Sequence, residues 1–207
     1  MPRSNNSRSD QCALPNRVFN RRVRQCATAV IVVLSLLHIP VLQGQQPKVS
    51  EYQVKATYLY NFGRFVHWPP NATATKGDSF SICVLGQDPF GPTLDSTLAG
   101  ETLDGKPLAV KRISTPRDAG ECRILFVSSA EEHHLKEILA AVDQAGVLTV
   151  SDIPGFSRRG GMIQFVMEGD RVRFEINLAT AESANLVLSS ELLKVAAAVR
   201  RSARSGD

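Results

Sequence analysis

Several stretches of this chain carry residue types and spacings that could support chemistry. GETLDGKP (residues 100–107) has the glycines and lysine of a phosphate-binding loop. Its last position is Pro107, where a Ser or Thr would hold magnesium, and proline also removes a backbone donor. The segment therefore reads as a turn leading into a strand. Ser157, in GFSRRG (residues 155–160), lacks the glycine two positions on that a nucleophile elbow needs, and no histidine is placed as its base. His133 and Glu137 share a helix face, but two ligands rarely suffice for a metal, and the adjacent His133 and His134 point about 100° apart. Arg158 and Arg159 would suit a carboxylate or a phosphate, or are simply solvated on a loop. Beside them, Gly160 and Gly161 allow a tight turn or a bulge, or else the close approach of a ligand or partner. Farther on, Arg171, Arg173, Glu175 and Asn177 form an alternating polar row that either faces solvent or lines a groove, with Asn177 placed to fix a turn. Arg158, Arg159, Arg173 and Asn177 are thus the candidate ligand- or partner-binding residues. No catalytic set, metal site or cofactor motif is expected.

The compartment follows from the start of the chain. Residues 1–25 hold six arginines and one acid, and an apolar run of about sixteen residues follows. That is the layout of a secretory leader, and it is short for a membrane span. Residues 1–44 are read as a signal peptide and 45–207 as one exported domain, with an uncleaved anchor as the alternative. The whole chain has 24 basic and 20 acidic residues. Removing the leader's six and one leaves 18 and 19, a net charge of −1. The apparent basicity belongs to the leader and gives no basis for a nucleic-acid partner. Of the four cysteines, Cys12 and Cys26 leave with the leader. Cys83 and Cys122 remain, an even pair in an oxidising space, where they form a bridge or else stay two buried thiols.

The elements that must position these residues begin at Ser50, with Gln53 three positions on as a capping box. Tyr52, Ala56, Leu59, Phe62 and Val66 recur at helical spacing, and Pro69-Pro70 stops the helix. A polar loop, 71–78, leads to a strand at 80–85, a short helix or turn over 90–98, and a strand at 108–113. Residues 123–127 contain ILFV, continuous enough for a strand buried on both faces. Ser128 or Ser129 caps a helix presenting Leu135, Ile138, Leu139 and Val142, and a strand returns at 147–150. Two further strands, 162–167 and 171–178, read as a hairpin turning at Gly169-Asp170. A helix starts at 179–185. Ser189 then caps a last helix carrying Leu192, Leu193, Val195, Ala196 and Val199, with a polar tail from 200 onward. Alternating strands and helices predict a single α/β domain: a mixed sheet with flanking helices, closed by a C-terminal β-hairpin and helix.

VKATYLYNFGRFVHWP (residues 54–69) resembles the opening of the YfiR-like periplasmic family. So does GFSRRGGMIQFVMEGDRVRFEINLATAESANLVLSSELLKVA (155–196), with ICVLG and CRILFVSS between them in the expected order. The resemblance implies an exported, non-enzymatic α/β protein that binds the periplasmic region of an inner-membrane diguanylate cyclase and restrains it, affecting cyclic di-GMP and biofilm. It also implies a homodimer and redox sensitivity. The family's second cysteine pair is absent here, so any redox control would rest on Cys83 and Cys122. A periplasmic small-ligand binding module is the alternative.

Overall fold

Fifteen residues after Ser50 wind into the first helix because apolar side chains recur on one side of it. In the computed structural model, which describes residues 50–69, 78–143 and 145–201, this helix is α1 (Glu51–Phe65). The leader, residues 71–77 of the polar loop and the last six residues lie outside the described set. The Ser50 side chain accepts from the Gln53 backbone N–H, fixing the start of α1. Ala56, Leu59 and Phe62 are fully buried along it. The helix gives way at once to a two-residue strand, β1 (Val66–His67).

The sheet is built on runs that are apolar on both faces. β2 (Phe80–Leu85) is buried throughout, and so is β5 (Ile124–Val127). Helix α2 (Pro92–Leu98) leads to a hairpin of β3 (Thr102–Leu103) and β4 (Lys106–Ile113). Its two-residue turn is Asp104-Gly105, both at positive φ, the arrangement whose twist matches paired strands. The phosphate-loop look of residues 100–107 thus resolves into a hairpin. A 3-10 turn, Ser129–His134, capped by Ser128, runs into α3 (Leu135–Ala141), followed by β6 (Leu148–Ser151). β7 (Ile163–Glu168) and β8 (Arg171–Asn177) form the expected antiparallel hairpin. Then come α4 (Leu178–Ser183), β9 (Val187–Leu188), α5 (Ser190–Val195) and β10 (Ala198–Arg200).

Eight strands make one mixed sheet in the order β10-β8-β7-β6-β5-β2-β4-β3, and β1 pairs with β9 in a separate ribbon. From β4 to β7 all neighbours are parallel. The chain builds outward from β2 to β4, then reverses and adds β5, β6 and β7 on the other side. This doubly wound path puts helices on both faces. Ile82, Val84, Ile124 and Phe126 face the core shared with α1 and α2. Cys83, Leu85, Leu125 and Val127 face Leu135 and Ile138 of α3.

Two sequence expectations need correction. The last helix does not run to Val199: it ends at Val195, and 198–200 is a strand. The Ala197 N–H donates to the Phe174 carbonyl, and β10 then pairs in parallel with Glu175–Asn177 of β8. The open edge of β8 offers this segment a ladder, which outweighs the helix preference of its alanines. The helix after Val127 is also shorter than expected, its first turn being 3-10.

Gly161 packs against the fully buried ring of Phe156, so the close approach anticipated at Gly160-Gly161 is internal. A Cβ at Gly161 would lie 2.1 Å from that ring. Gly161→Ala should cost about 2 kcal/mol, since a packed aromatic must shift to admit a methyl. A urea melt of the variant beside the wild type measures it, and a loss within about 0.5 kcal/mol would show that Phe156 moves freely.

Candidate interaction surface

The unequal lengths of β8 and β10 open a groove on the described surface. β10 covers only the carboxyl half of β8, leaving Arg171, Val172 and Arg173 without a strand on that side. α1 flanks this uncovered edge, and the end of α5 closes it. The groove holds about 940 Å3 and is walled by Val54, Tyr58, Met167, Val172 and Val195. Met167 is 49% exposed and Val195 56%, although both are large and apolar. Tyr58 joins the groove to the core: its ring lies 5.3 Å from that of Phe174, and its hydroxyl donates to the Val172 carbonyl. A second cleft continues from Tyr58 and Val195 past Phe65 to Glu191 and Leu192. Charges rim the first groove: Glu51 and Asp170, with Arg171 and Arg173. An apolar floor with a charged rim suits a protein partner, and the exposed side chains are of the kind such contacts bury.

The residues singled out from sequence do not converge. Arg173 lies on the groove, where it reaches Glu168 at 3.8 Å and donates to the Val195 carbonyl at the end of α5. Asn177 is four residues along the same strand, about 13 Å away. Its Oδ1 caps α4 by accepting from the Thr180 N–H, and its Nδ2 donates to the Ser157 carbonyl. Arg158 is exposed on the turn beside Ser157, and Arg159 donates to the Glu132 carboxylate and carbonyl. Ser157 is fully buried and its hydroxyl donates to Gln164 or Glu175, so its partners are an amide and a carboxylate. Cys83 and Cys122 are joined in a disulfide, both fully buried on the α3 face with Cα atoms 5.9 Å apart.

A buried ion-pair cluster lies where α1 crosses the carboxyl ends of the strands. Lys55 has a side chain only 3% exposed, and it donates to Asp152 at 2.6 Å and Glu51 at 2.5 Å. The Tyr52 ring lies 4.4 Å from its ammonium, and the Tyr52 hydroxyl donates to Asp152. Burial pulls the Lys55 pKa down, but the hydrogen bonds to Asp152 and Glu51 outweigh it and leave it raised. Burial also pushes the Tyr52 phenol up, reinforced by the Asp152 charge. Asp152 Oδ1 is buried and accepts no hydrogen bond from the described residues.

Residues 52–197 match the family described as YfiR/HmsC-like. The chain belongs to the YfiR/HmsC-like family. No curated protein matches the sequence. Among solved structures, a conserved domain protein of Vibrio cholerae O1 biovar El Tor aligns with a TM-score of 0.51 at 12% identity. The alignment covers 73% of this chain and 60% of that one, so this chain spans less than two thirds of its neighbour's length. Identity that low carries the fold alone. Within this YfiR/HmsC-like domain, no helix of the described residues is long and apolar enough to cross a membrane, and no three His, Cys, Asp or Glu residues converge as a metal site.

Sequence reasoning missed the Lys55 cluster, and of the groove it offered the polar rim of Arg171 and Arg173 as one of two alternatives but not the apolar walls. One signal was present. Lys55 falls three residues after Tyr52 and seven before Phe62, inside the apolar stripe of α1, and a cation there must be paired. Val54, Met167 and Val195 carried no signal, because each reads as an ordinary core residue until the strand lengths are known.

Proposed function

We propose that this chain is an exported, non-enzymatic regulator that works in the periplasm by binding an inner-membrane signalling protein. The kinship points to a diguanylate cyclase as that protein, held inactive through its periplasmic region. Release of the restraint raises cyclic di-GMP and promotes biofilm. The observation that carries the reading is the apolar groove between α1, the β7–β8 hairpin and α5, with Met167 and Val195 exposed along it in a YfiR/HmsC-like domain. A partner side chain seated between Tyr58 and Val172 would be desolvated at the centre of the contact, where binding energy concentrates. Homodimer formation implied by the kinship would use another face if the groove holds the partner.

Deletion of the gene in cells expressing the cyclase should raise cyclic di-GMP, and the wild-type gene should restore it. Met167→Glu with Val195→Glu should mimic the deletion while leaving export and melting temperature unchanged. Each charge is expected to weaken the contact at least about tenfold, near 1.4 kcal/mol. Unchanged cyclic di-GMP on deletion, with the cyclase present, would remove the regulatory reading. Full activity of the doubly charged variant would move the contact off the groove.

A further inference from the structure

Helix α1 carries two side-chain stripes that meet apolar surroundings, where a surface helix ordinarily carries one. Tyr52, Ala56, Leu59 and Phe62 face the core. A second row, Val54, Tyr58, Asn61 and Phe65, recurs at intervals of four, three and four, roughly 130° round the helix from the first. All four are only partly buried. The row runs through both clefts of the interaction surface. Val54 and Tyr58 wall the groove of about 940 Å3, and Tyr58, Asn61 and Phe65 wall the cleft of about 260 Å3 beyond it. The opposite wall is Val172, Val195 and Leu192. Groove and cleft therefore make one trough beside α1. From Val54 to Phe65 it runs about 16 Å, or three turns of helix.

The form of the occupant follows from what the trough offers, which is side chains and little free backbone. Of residues 171–173, which β10 leaves uncovered, only Val172 turns its backbone groups to the open edge, as Phe174 does toward Ala197. The Val172 carbonyl already accepts from Tyr58. An extended segment would gain almost no strand pairing there. A row spaced four-three-four is instead the seam by which one helix receives another, the incoming side chains seating between its own. Asn61 falls inside that seam, where a polar side chain selects a polar partner and fixes register. Charge sets the direction. Opposite signs balance at each end: Glu51 and Asp170 with Arg171 and Arg173 near Ser50, and Arg64 with Glu191 near Phe65. The unbalanced field is the dipole of α1, positive at Ser50, which favours the negative carboxyl end of an incoming helix there. A second copy meeting this face through a two-fold axis would oppose trough to trough and leave both floors open. We propose that the trough takes an amphipathic helix from the membrane partner's periplasmic region, antiparallel to α1, with apolar residues at the same four-three spacing and a polar one against Asn61. This rests on the regulatory reading and adds the form of what is bound.

The test uses the purified chain and the periplasmic region of the cyclase. The photo-cross-linker p-benzoylphenylalanine replaces Val54 in one variant and Phe65 in another, and the cyclase residues caught are read by mass spectrometry. The residue caught at Phe65 should precede the one caught at Val54 by about eleven positions, because facing helices share a rise of about 1.5 Å per residue. An extended segment would cover the same distance in about five. Asn61→Glu, at a partly exposed polar position, should weaken binding at least tenfold with the melting temperature unchanged. Failure of the cyclase region to bind the wild type would overturn the regulatory reading and the helix with it. Binding that Met167→Glu with Val195→Glu abolishes but Asn61→Glu leaves intact would keep the regulatory reading and overturn the helix alone. Cross-links about five positions apart, in the reverse order, or to a second copy of the chain would overturn the helix as well.

Discussion

Asp152→Ala should destabilise the chain by about 3 kcal/mol, because it strands a buried cation. Lys55 cannot reach water easily, its side chain being 3% exposed, and Asp152 is the less exposed of its two partners at 14% against 43% for Glu51. Glu51 remains in the variant, which keeps the loss at the lower end of what breaking a buried pair costs. Replacing Lys55 by Met should cost less. The methionine fills similar volume in apolar surroundings, and Asp152 keeps the Tyr52 hydroxyl. The pH dependence has a definite sign. The folded-state pKa of Lys55 is raised above its ordinary value, so the stabilisation is present in full below the unfolded pKa, about 10.4. It is lost as pH rises through the folded value. The gap between wild type and Asp152→Ala should therefore stay constant from about pH 7 to pH 10 and close only above that. Urea melts across that range measure it. A loss below about 1 kcal/mol at neutral pH would mean that Lys55 behaves as a solvated surface cation.

The parts of this fold that were legible in the sequence are those whose burial is decided locally. Residues 80–85 and 124–127 are apolar on both faces, and they became the central strands β2 and β5. The alternation of Val172, Phe174 and Ile176 with polar neighbours set one face of β8, and Gly169-Asp170 set its turn. Misreadings arose where a distant partner decides the conformation. Residues 196–199 are alanine-rich and continue a helical pattern, yet the exposed edge of β8 draws them into β10. β1 and β9 are two residues each and pair across more than a hundred positions, so no local pattern announces them. The groove shares this origin. It exists because neighbouring strands end at different points, a property of register that residue types do not encode.

Removing the disulfide should give the largest single loss. Cys83 and Cys122 close a loop of 39 residues, worth about 4 kcal/mol in the chain-entropy account. For a domain of this size that corresponds to roughly 10 °C in melting temperature. The expected result is that Cys83→Ala with Cys122→Ala melts about 10 °C below the oxidised wild type and does not respond to reductant. The reduced wild type should fall to about the same temperature. Alanine is the better replacement, because both positions are fully buried and a serine hydroxyl would need a partner there. The bridge joins β2 to Cys122, two residues before β5 begins, stapling the two strands between which the strand order reverses. It does so on the α3 face, whereas the partner groove and its Tyr58 wall belong to the core on the α1 face. Reduction should therefore lower the folded fraction without reshaping the groove. Partner affinity, measured per folded molecule below the melting range, is expected to be equal for oxidised chain and double variant. A changed affinity with unchanged fold would instead make the bridge a switch that acts through the sheet, and equal melting temperatures would show that it contributes nothing to stability.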